Sequence, residues 1–167
     1  EEVVCDSDVT IINGLTDKSH PCQIMADLMT IEEKYKSLDG LNIVWVGDGN
    51  NVCNSWIHAS KHFDFNLKIS CPKDFFPKDE EIKGGNNIQI FDDPLKAVKN
   101  ADVVVTDTWV SMGMADEKER LKKFKGFQVN EKLMSIAKPT SIFLHCLPAH
   151  RGSEVSSEMG DGKQSLV

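Results

Sequence analysis

Asn42-Ile43-Val44-Trp45-Val46-Gly47-Asp48-Gly49-Asn50-Asn51 is the stretch that decides the fold. A short apolar run stops at a glycine turn and spills directly into polar side chains. Two other runs stop the same way. Val103-Val104-Val105-Thr106 gives way to Asp107-Thr108-Trp109, and the run at 141–145 closes as Phe143-Leu144-His145-Cys146-Leu147-Pro148. Strands that are apolar throughout, rather than alternating, belong to a parallel sheet buried on both faces. Ligands of such sheets bind beyond the carboxyl ends of the strands. Asn51, Asp107 and Cys146 are therefore expected at one edge, around one site.

Working outward, further strands are expected at 66–70 and 88–91. A long helix starts near Pro21, which suits a first helical turn. Ile24, Met25, Leu28, Ile31, Tyr35 and Leu38 recur at helical spacing, with Asp27, Glu32, Glu33 and Lys36 on the other side, and Asp39-Gly40 ends it. Other helices are expected from Asn51 to His62, from Asp93-Pro94 to Lys99, and within 116–125 and 130–137. Val9 to Ile12 reads as a short strand closed by Asn13-Gly14. The Gly/Ser-rich tail from Gly152 to Lys163 reads as an exposed loop, and Ser165-Leu166-Val167 as an extended segment. Strands alternating with helices give an α/β fold, a parallel β-sheet flanked by helices with right-handed crossovers. The first strand and helix read as the end of a preceding α/β domain, placing a boundary near residue 37 (1–37 and 38–167).

The 167 residues suffice for one domain with a proper core, and 40% hydrophobic content is that of an ordinary globular protein. A net charge of −7 argues against nucleic acid or an acidic membrane as main partner. No apolar run approaches the roughly 18 residues of a membrane helix, and Glu1-Glu2-Val3-Val4 has no signal-peptide character. The five cysteines, Cys5, Cys22, Cys53, Cys71 and Cys146, are odd in number and widely spaced, which points to reduced thiols in a cytosolic or matrix-like compartment.

Each motif has a plain alternative. Gly47-x-Gly49 opening a helix is half a dinucleotide fingerprint, but the third glycine is missing and the next strand ends in Ser70-Cys71-Pro72 without the acid that grips a ribose. This disfavours an NAD oxidoreductase. The helix N-terminus at Asn51 still suits an anion, an amino-acid carboxylate as well as a phosphate, or is an unliganded tight turn. His20-Pro21-Cys22-Gln23 opens a helix, where a neutral imidazole could donate to a carbonyl and Gln23 could offer its amide. A capping His and a surface Gln are the plain alternative. Asp107 could pair with an ammonium, and Ser111 with a carboxylate. A cap and a turn would look the same. His145 and Cys146 are neighbours on a strand, so they face opposite ways and do not form a Cys–His nucleophile pair. His58 and His62 stand four apart with no third metal ligand in evidence, as on a solvated helix face.

His20-Pro21-Cys22-Gln23, Gly47-Asp48-Gly49-Asn50-Asn51, Asp107-Thr108-Trp109-Val110-Ser111-Met112-Gly113, Gly126-Phe127-Gln128-Val129-Asn130 and His145-Cys146-Leu147-Pro148 together resemble the ornithine carbamoyltransferases. The motifs fall in the family's order and span nearly the whole chain. Related aspartate carbamoyltransferases share H-P-x-Q, but typically read H-P-L-P at the last motif and lack the D-x-W-x-S-M-G loop.

The resemblance implies a Rossmann-like ornithine-binding domain, transfer of a carbamoyl group from carbamoyl phosphate to L-ornithine, no metal or organic cofactor, and a homotrimer. It also implies a cytoplasmic enzyme, or one of the mitochondrial matrix in a eukaryote. His20, Pro21, Cys22, Gln23, Cys146 and Leu147 would meet carbamoyl phosphate, with His20 and Cys146 catalytic. Asn51, Asp107, Ser111 and Met112 would hold ornithine. The family's S-T-R-T phosphate loop and C-terminal helix are not found here, and the only arginines, Arg120 and Arg151, fall outside a plausible phosphate pocket. These 167 residues are accordingly expected to be a catalytically incomplete, amino-acid-binding part of the enzyme. A carbamoyltransferase acting on another amine is the remaining alternative.

Overall fold

The apolar runs become strands that bury both faces. The computed structural model describes residues 9–85, 87–110 and 117–167. Its strands are β1 (Asn42–Val46), β2 (Asn66–Ser70), β3 (Ile88–Phe91), β4 (Val103–Thr106) and β5 (Ile142–His145). They form one sheet in the order β3-β2-β1-β4-β5, and each neighbouring pair is parallel. The chain builds outward from β1 through β2 to β3, then returns to β1's other side for β4 and β5. The strand order therefore reverses between β1 and β4, and ligands of such sheets bind beyond the carboxyl ends of the strands at that point.

Alternate residues of each central strand serve opposite faces. Ile43, Trp45, Val103, Val105, Ile142 and Leu144 pack on one side with Ile24, Leu28, Ile31 and Trp56. These last come from α1 (Pro21–Tyr35) and α2 (Asn51–Ser60). Val44, Val46, Val104 and Phe143 pack on the other side with Phe124, Val129, Met134, Val155 and Met159. α3 (Asp79–Ile82) lies with the first layer, where Ile82 packs, and the other short helices are α4 (Pro94–Ala97), α5 (Glu117–Lys123), α6 (Glu131–Met134) and α7 (Ser157–Gly160).

Helix boundaries follow from local chemistry. Asn50 caps α2 by accepting from the Val52 and Cys53 N–H groups, Asp93 caps α4 through Leu95, Asn130 caps α6 through Leu133, and Ser156 caps α7 through Met159. The turn after β1 requires its glycines. Gly47 has φ +146, and a Cβ on Gly49 would stand 2.4 Å from the Phe75 carbonyl oxygen. Gly49 N–H instead donates to that oxygen at 2.9 Å. The close approach permitted by glycine is thus used by the chain's own segment 75–77 rather than by a pyrophosphate.

The structure differs from the sequence expectations at several points. Val9 to Ile12 forms no strand and lies outside the sheet, its exposed apolar side chains finding no face of the sheet to bury against. α1 stops at Tyr35, because Lys36 turns into a left-handed conformation with φ 68. α2 ends at Ser60 and α4 at Ala97, short of His62 and Lys99. The tail at 152–163 is no simple exposed loop: Glu154, Val155 and Met159 are buried. Val129 bridges Val155, and Ser165 bridges Phe143 alongside β5. No described helix is long and apolar enough to cross a membrane.

Candidate functional site

Four chain segments meet beyond the carboxyl ends of β1, β4 and β5. The turn after β1 supplies Asn50, the residue after β4 is Asp107, the residue after β5 is Cys146, and the first turns of α1 supply His20, Gln23 and Asp27. The helix starts are tied together. His20 N–H donates to Ser55 Oγ at 2.7 Å, and Ser55 Oγ donates to the Asn51 carbonyl at 3.0 Å.

Asp107 is buried at the strand-order reversal. Asn50 Nδ2 donates to its Oδ2 at 2.8 Å, joining the ends of β1 and β4. One asparagine thus caps α2 with its oxygen and holds Asp107 with its nitrogen. Burial pushes the Asp107 carboxyl above its ordinary range. The Thr108 N–H, Asn50 and the positive potential of His145 offset part of that, and Glu154 adds to the rise. A buried carboxylate held this way is stabilised most by an incoming cation.

Asp27 is the second buried acid here, 6% exposed, although the sequence reading placed it on the outer side of α1. Gln23 Nε2 donates to Asp27 Oδ1 at 2.9 Å. Burial first, and Asp107 after the opposing Gln23 bond, raise the Asp27 carboxyl to about 6. Cys146 faces the same volume. Burial, then the negative fields of Asp107 and Asp27, push its thiol up to about 12, so it stays protonated at neutral pH and is no thiolate nucleophile.

His145 belongs to the other face, as strand alternation requires. Its Nε2 lies 3.2 Å from Glu154 Oε1 and its Nδ1 2.5 Å from the Cys146 carbonyl. Glu154 Oε1 also accepts from the His150 N–H. Burial works against the Glu154 carboxylate, but the His145 and His150 bonds hold it below the ordinary range. Gln128 Nε2 reaches the Gly152 and Ser153 carbonyls at 3.1 and 2.9 Å. The Gly126–Asn130 motif therefore braces the loop that follows Cys146.

The other expected site residues are placed as follows. Pro21 occupies the first turn of α1, and Cys22 is exposed, with Sγ donating to the Asn13 carbonyl at 3.5 Å. Asn51 opens α2, but its Nδ2 donates to the Thr16 carbonyl at 2.7 Å. Leu147 is 66% exposed beside Cys146 and is joined to Pro148 by a cis bond. His20 Nδ1 is buried without a hydrogen-bond partner among the described residues. Ser111 and Met112 lie outside the described residues. The anion site expected at the start of α2 finds the Val52 and Cys53 N–H groups already taken by Asn50.

Asn50, Asp27 and the His145–Glu154 pair were missed as site residues. Both helix positions had a signal. Asn50 directly precedes the helix, where an Asn cap is favoured, and Asp27 stands four residues after Gln23, the spacing of a Gln–Asp hydrogen bond.

A parallel α/β sheet with buried acids at its order reversal has the architecture of a Rossmann-like domain whose carboxyl edge suits a small cationic ligand. Comparison with known proteins specifies the family. Residues 39–167 match the Asp/Orn binding domain of aspartate/ornithine carbamoyltransferase, and residues 1–33 match its carbamoyl-P binding domain. The chain is 53% identical over 165 residues to the ornithine carbamoyltransferase of Caulobacter vibrioides, covering 96% of this chain and 53% of that protein. The ornithine carbamoyltransferase structure from Pyrococcus furiosus superposes with a TM-score of 0.92 at 44% identity, over 98% of this chain and 55% of that one. That from Thermus thermophilus gives 0.91 at 37% identity, over 98% and 54%. The chain belongs to the aspartate/ornithine carbamoyltransferase family. It spans about half the length of the curated relatives it matches (53% and 52% of the first two).

Proposed function

We propose that this chain is the amino-acid-binding part of an enzyme that transfers the carbamoyl group of carbamoyl phosphate to the δ-amine of L-ornithine, giving L-citrulline and phosphate. Residues 38–167 form the ornithine side on this reading, and 1–37 the end of the carbamoyl-phosphate side with the connecting helix. The observation that carries it is the buried Asp107, held by Asn50 at the strand-order reversal with Cys146 beside it. An α-ammonium group would neutralise that carboxylate. The family relationship supports the substrate pair.

The neutral δ-amine attacks the carbamoyl carbon. A C–N bond forms, the C–O bond to phosphate breaks with its electron pair leaving on phosphate, and the departing phosphate takes the proton that the amine gives up. His20 polarises the carbamoyl oxygen, and Gln23 and the Cys146–Leu147 segment position the group. Cys146 remains a neutral thiol beside the reacting amine. Asn51, with Ser111 and Met112, completes the ornithine contacts, and catalysis rests on positioning and on preorganised donors. The active protein is a homotrimer.

A second reading, that these 167 residues bind an amino acid without catalysing, is favoured by the fate of both arginines. Arg120 pairs with Asp48 and donates to the Trp109 carbonyl, and Arg151 pairs with Asp161. Neither is free for a phosphate. Phosphate recognition then comes from the half of the family's length that this chain does not span.

The test is Asp107→Asn in a protein carrying both family halves. The variant keeps the shape and removes the charge, a loss of about 1.5–3 kcal/mol for a desolvated charged hydrogen bond. kcat/KM for ornithine should fall roughly ten- to a hundred-fold, with carbamoyl phosphate binding little changed. Equal loss for both substrates would assign Asp107 to the fold instead.

A further inference from the structure

Gln23 is a planar amide with a donating and an accepting end, and the structure fixes which is which. An ionised carboxylate only accepts. With Asp27 Oδ1 2.9 Å from the Gln23 amide, the end facing Asp27 is Nε2–H. The other end, Oε1, is thereby turned away from Asp27. Asp27 is itself buried beneath the site, one helical turn from Gln23, where its field reaches Cys146. A buried carboxylate in an apolar helix face is costly, and Asp27 holds its place among Ile24, Leu28 and Ile31.

We propose that Asp27 is a positioning residue that acts through Gln23, holding the amide so that its carbonyl oxygen, and not its nitrogen, is presented to the ligand. An acceptor at that point selects a ligand with an N–H2 group, here the carbamoyl amide; the inference rests on the carbamoyl-transfer reading above. A protonated Asp27 becomes a donor and no longer distinguishes the two ends of the amide. With the Asp27 carboxyl raised to about 6, that loss falls within an accessible pH range. Gln23 faces Asp27 from its own helix, Asp107 stands after β4 and Cys146 after β5, and the field of His145 reaches it from the other face of β5. Of these, Asp107 favours the proton and His145 opposes it.

The experiment is a double-mutant cycle in the protein carrying both family halves, with thermal unfolding recorded for each variant. Gln23→Ala should raise KM for carbamoyl phosphate roughly three- to ten-fold, the scale of one hydrogen bond. Asp27→Ala should raise it by a similar factor and leave KM for ornithine within about two-fold. In the Gln23→Ala background, Asp27→Ala should add less than about two-fold, because its effect passes through the amide.

Asp27→Asn carries a donor as well as an acceptor, as the protonated acid does, and should show at pH 7.5 the raised KM that the native protein reaches only at low pH. It should also lack the rise in KM that the native protein shows as pH falls through about 6. Multiplicative losses in the cycle, or the same acid limb in the native protein and Asp27→Asn, would overturn the inference and leave carbamoyl transfer standing. An inactive native protein would overturn both, and that result is read before any variant is compared.

Discussion

Asp27 and Asp107 are two carboxyls buried beside one another, and their cost is measurable in these 167 residues without any substrate. Burial raises the folded Asp27 carboxyl to about 6, above the ordinary range of a solvated aspartate, about 3.9. The folded state therefore holds its proton more tightly than the unfolded state does. Stability from this group is present below about pH 4 and is lost as pH rises to about 6, a difference on the order of 3 kcal/mol. Asp107 tilts the same way and Glu154, held low, the opposite way. Comparing native protein with Asp27→Asn isolates the one group. The variant should be more stable at pH 7.5 by about 1–3 kcal/mol in urea unfolding, and the gain should vanish near pH 4. A variant less stable than the native protein at both pH values would contradict the raised carboxyl. Ile24, Asp27, Leu28 and Ile31 in fact follow one helical stripe, so the burial of Asp27 was written in the spacing. Its charge outweighed its position in the sequence reading.

At the scale of elements, the site is a set of strand ends and helix starts, and these were the legible part. Continuous apolar runs identified the central strands, and Asp107 and Cys146 followed directly from where those runs stopped. Strand alternation also separated His145 from Cys146 correctly. Boundaries that depend on one backbone conformation, such as the left-handed Lys36 that ends α1, have no strong residue signal. The burial of the 152–163 tail is tertiary: Gln128, His145 and His150 recruit it through hydrogen bonds that no local pattern announces. The choice between Asn50 and Asn51 was likewise undecidable from composition, since either can cap a helix. In the structure Asn50 joins α2 to Asp107. Asn50→Ala should cost about 1–2 kcal/mol in chemical unfolding from the lost cap, and more if Asp107 stays charged and unpaired. Asn51→Ala, which loses one bond to the Thr16 carbonyl, should cost less than Asn50→Ala. The reverse order would show that the cap is not what holds this corner.

At the scale of the whole molecule, the described residues divide along the chemistry of the two proposed substrates. Buried acids at the order reversal suit an amine-bearing amino acid, and an amide at the start of α1 suits a carbamoyl group. The guanidinium groups that would suit a phosphate are engaged elsewhere, Arg120 with Asp48 and Arg151 with Asp161. α1 nevertheless packs into the sheet's core through Ile24, Leu28 and Ile31, so the segment matching the carbamoyl-P binding domain is continuous with the amino-acid side in this structure. The most direct measurement is citrulline formation from carbamoyl phosphate and L-ornithine, by these 167 residues alone and by a protein carrying both family halves. The predicted result is no turnover by the first and turnover by the second, with L-ornithine preferred over amines that lack the α-ammonium group. Turnover by the 167 residues alone, or an active two-half protein that carbamoylates such amines as readily as L-ornithine, would contradict the assignment of Asp107 and of the missing phosphate site.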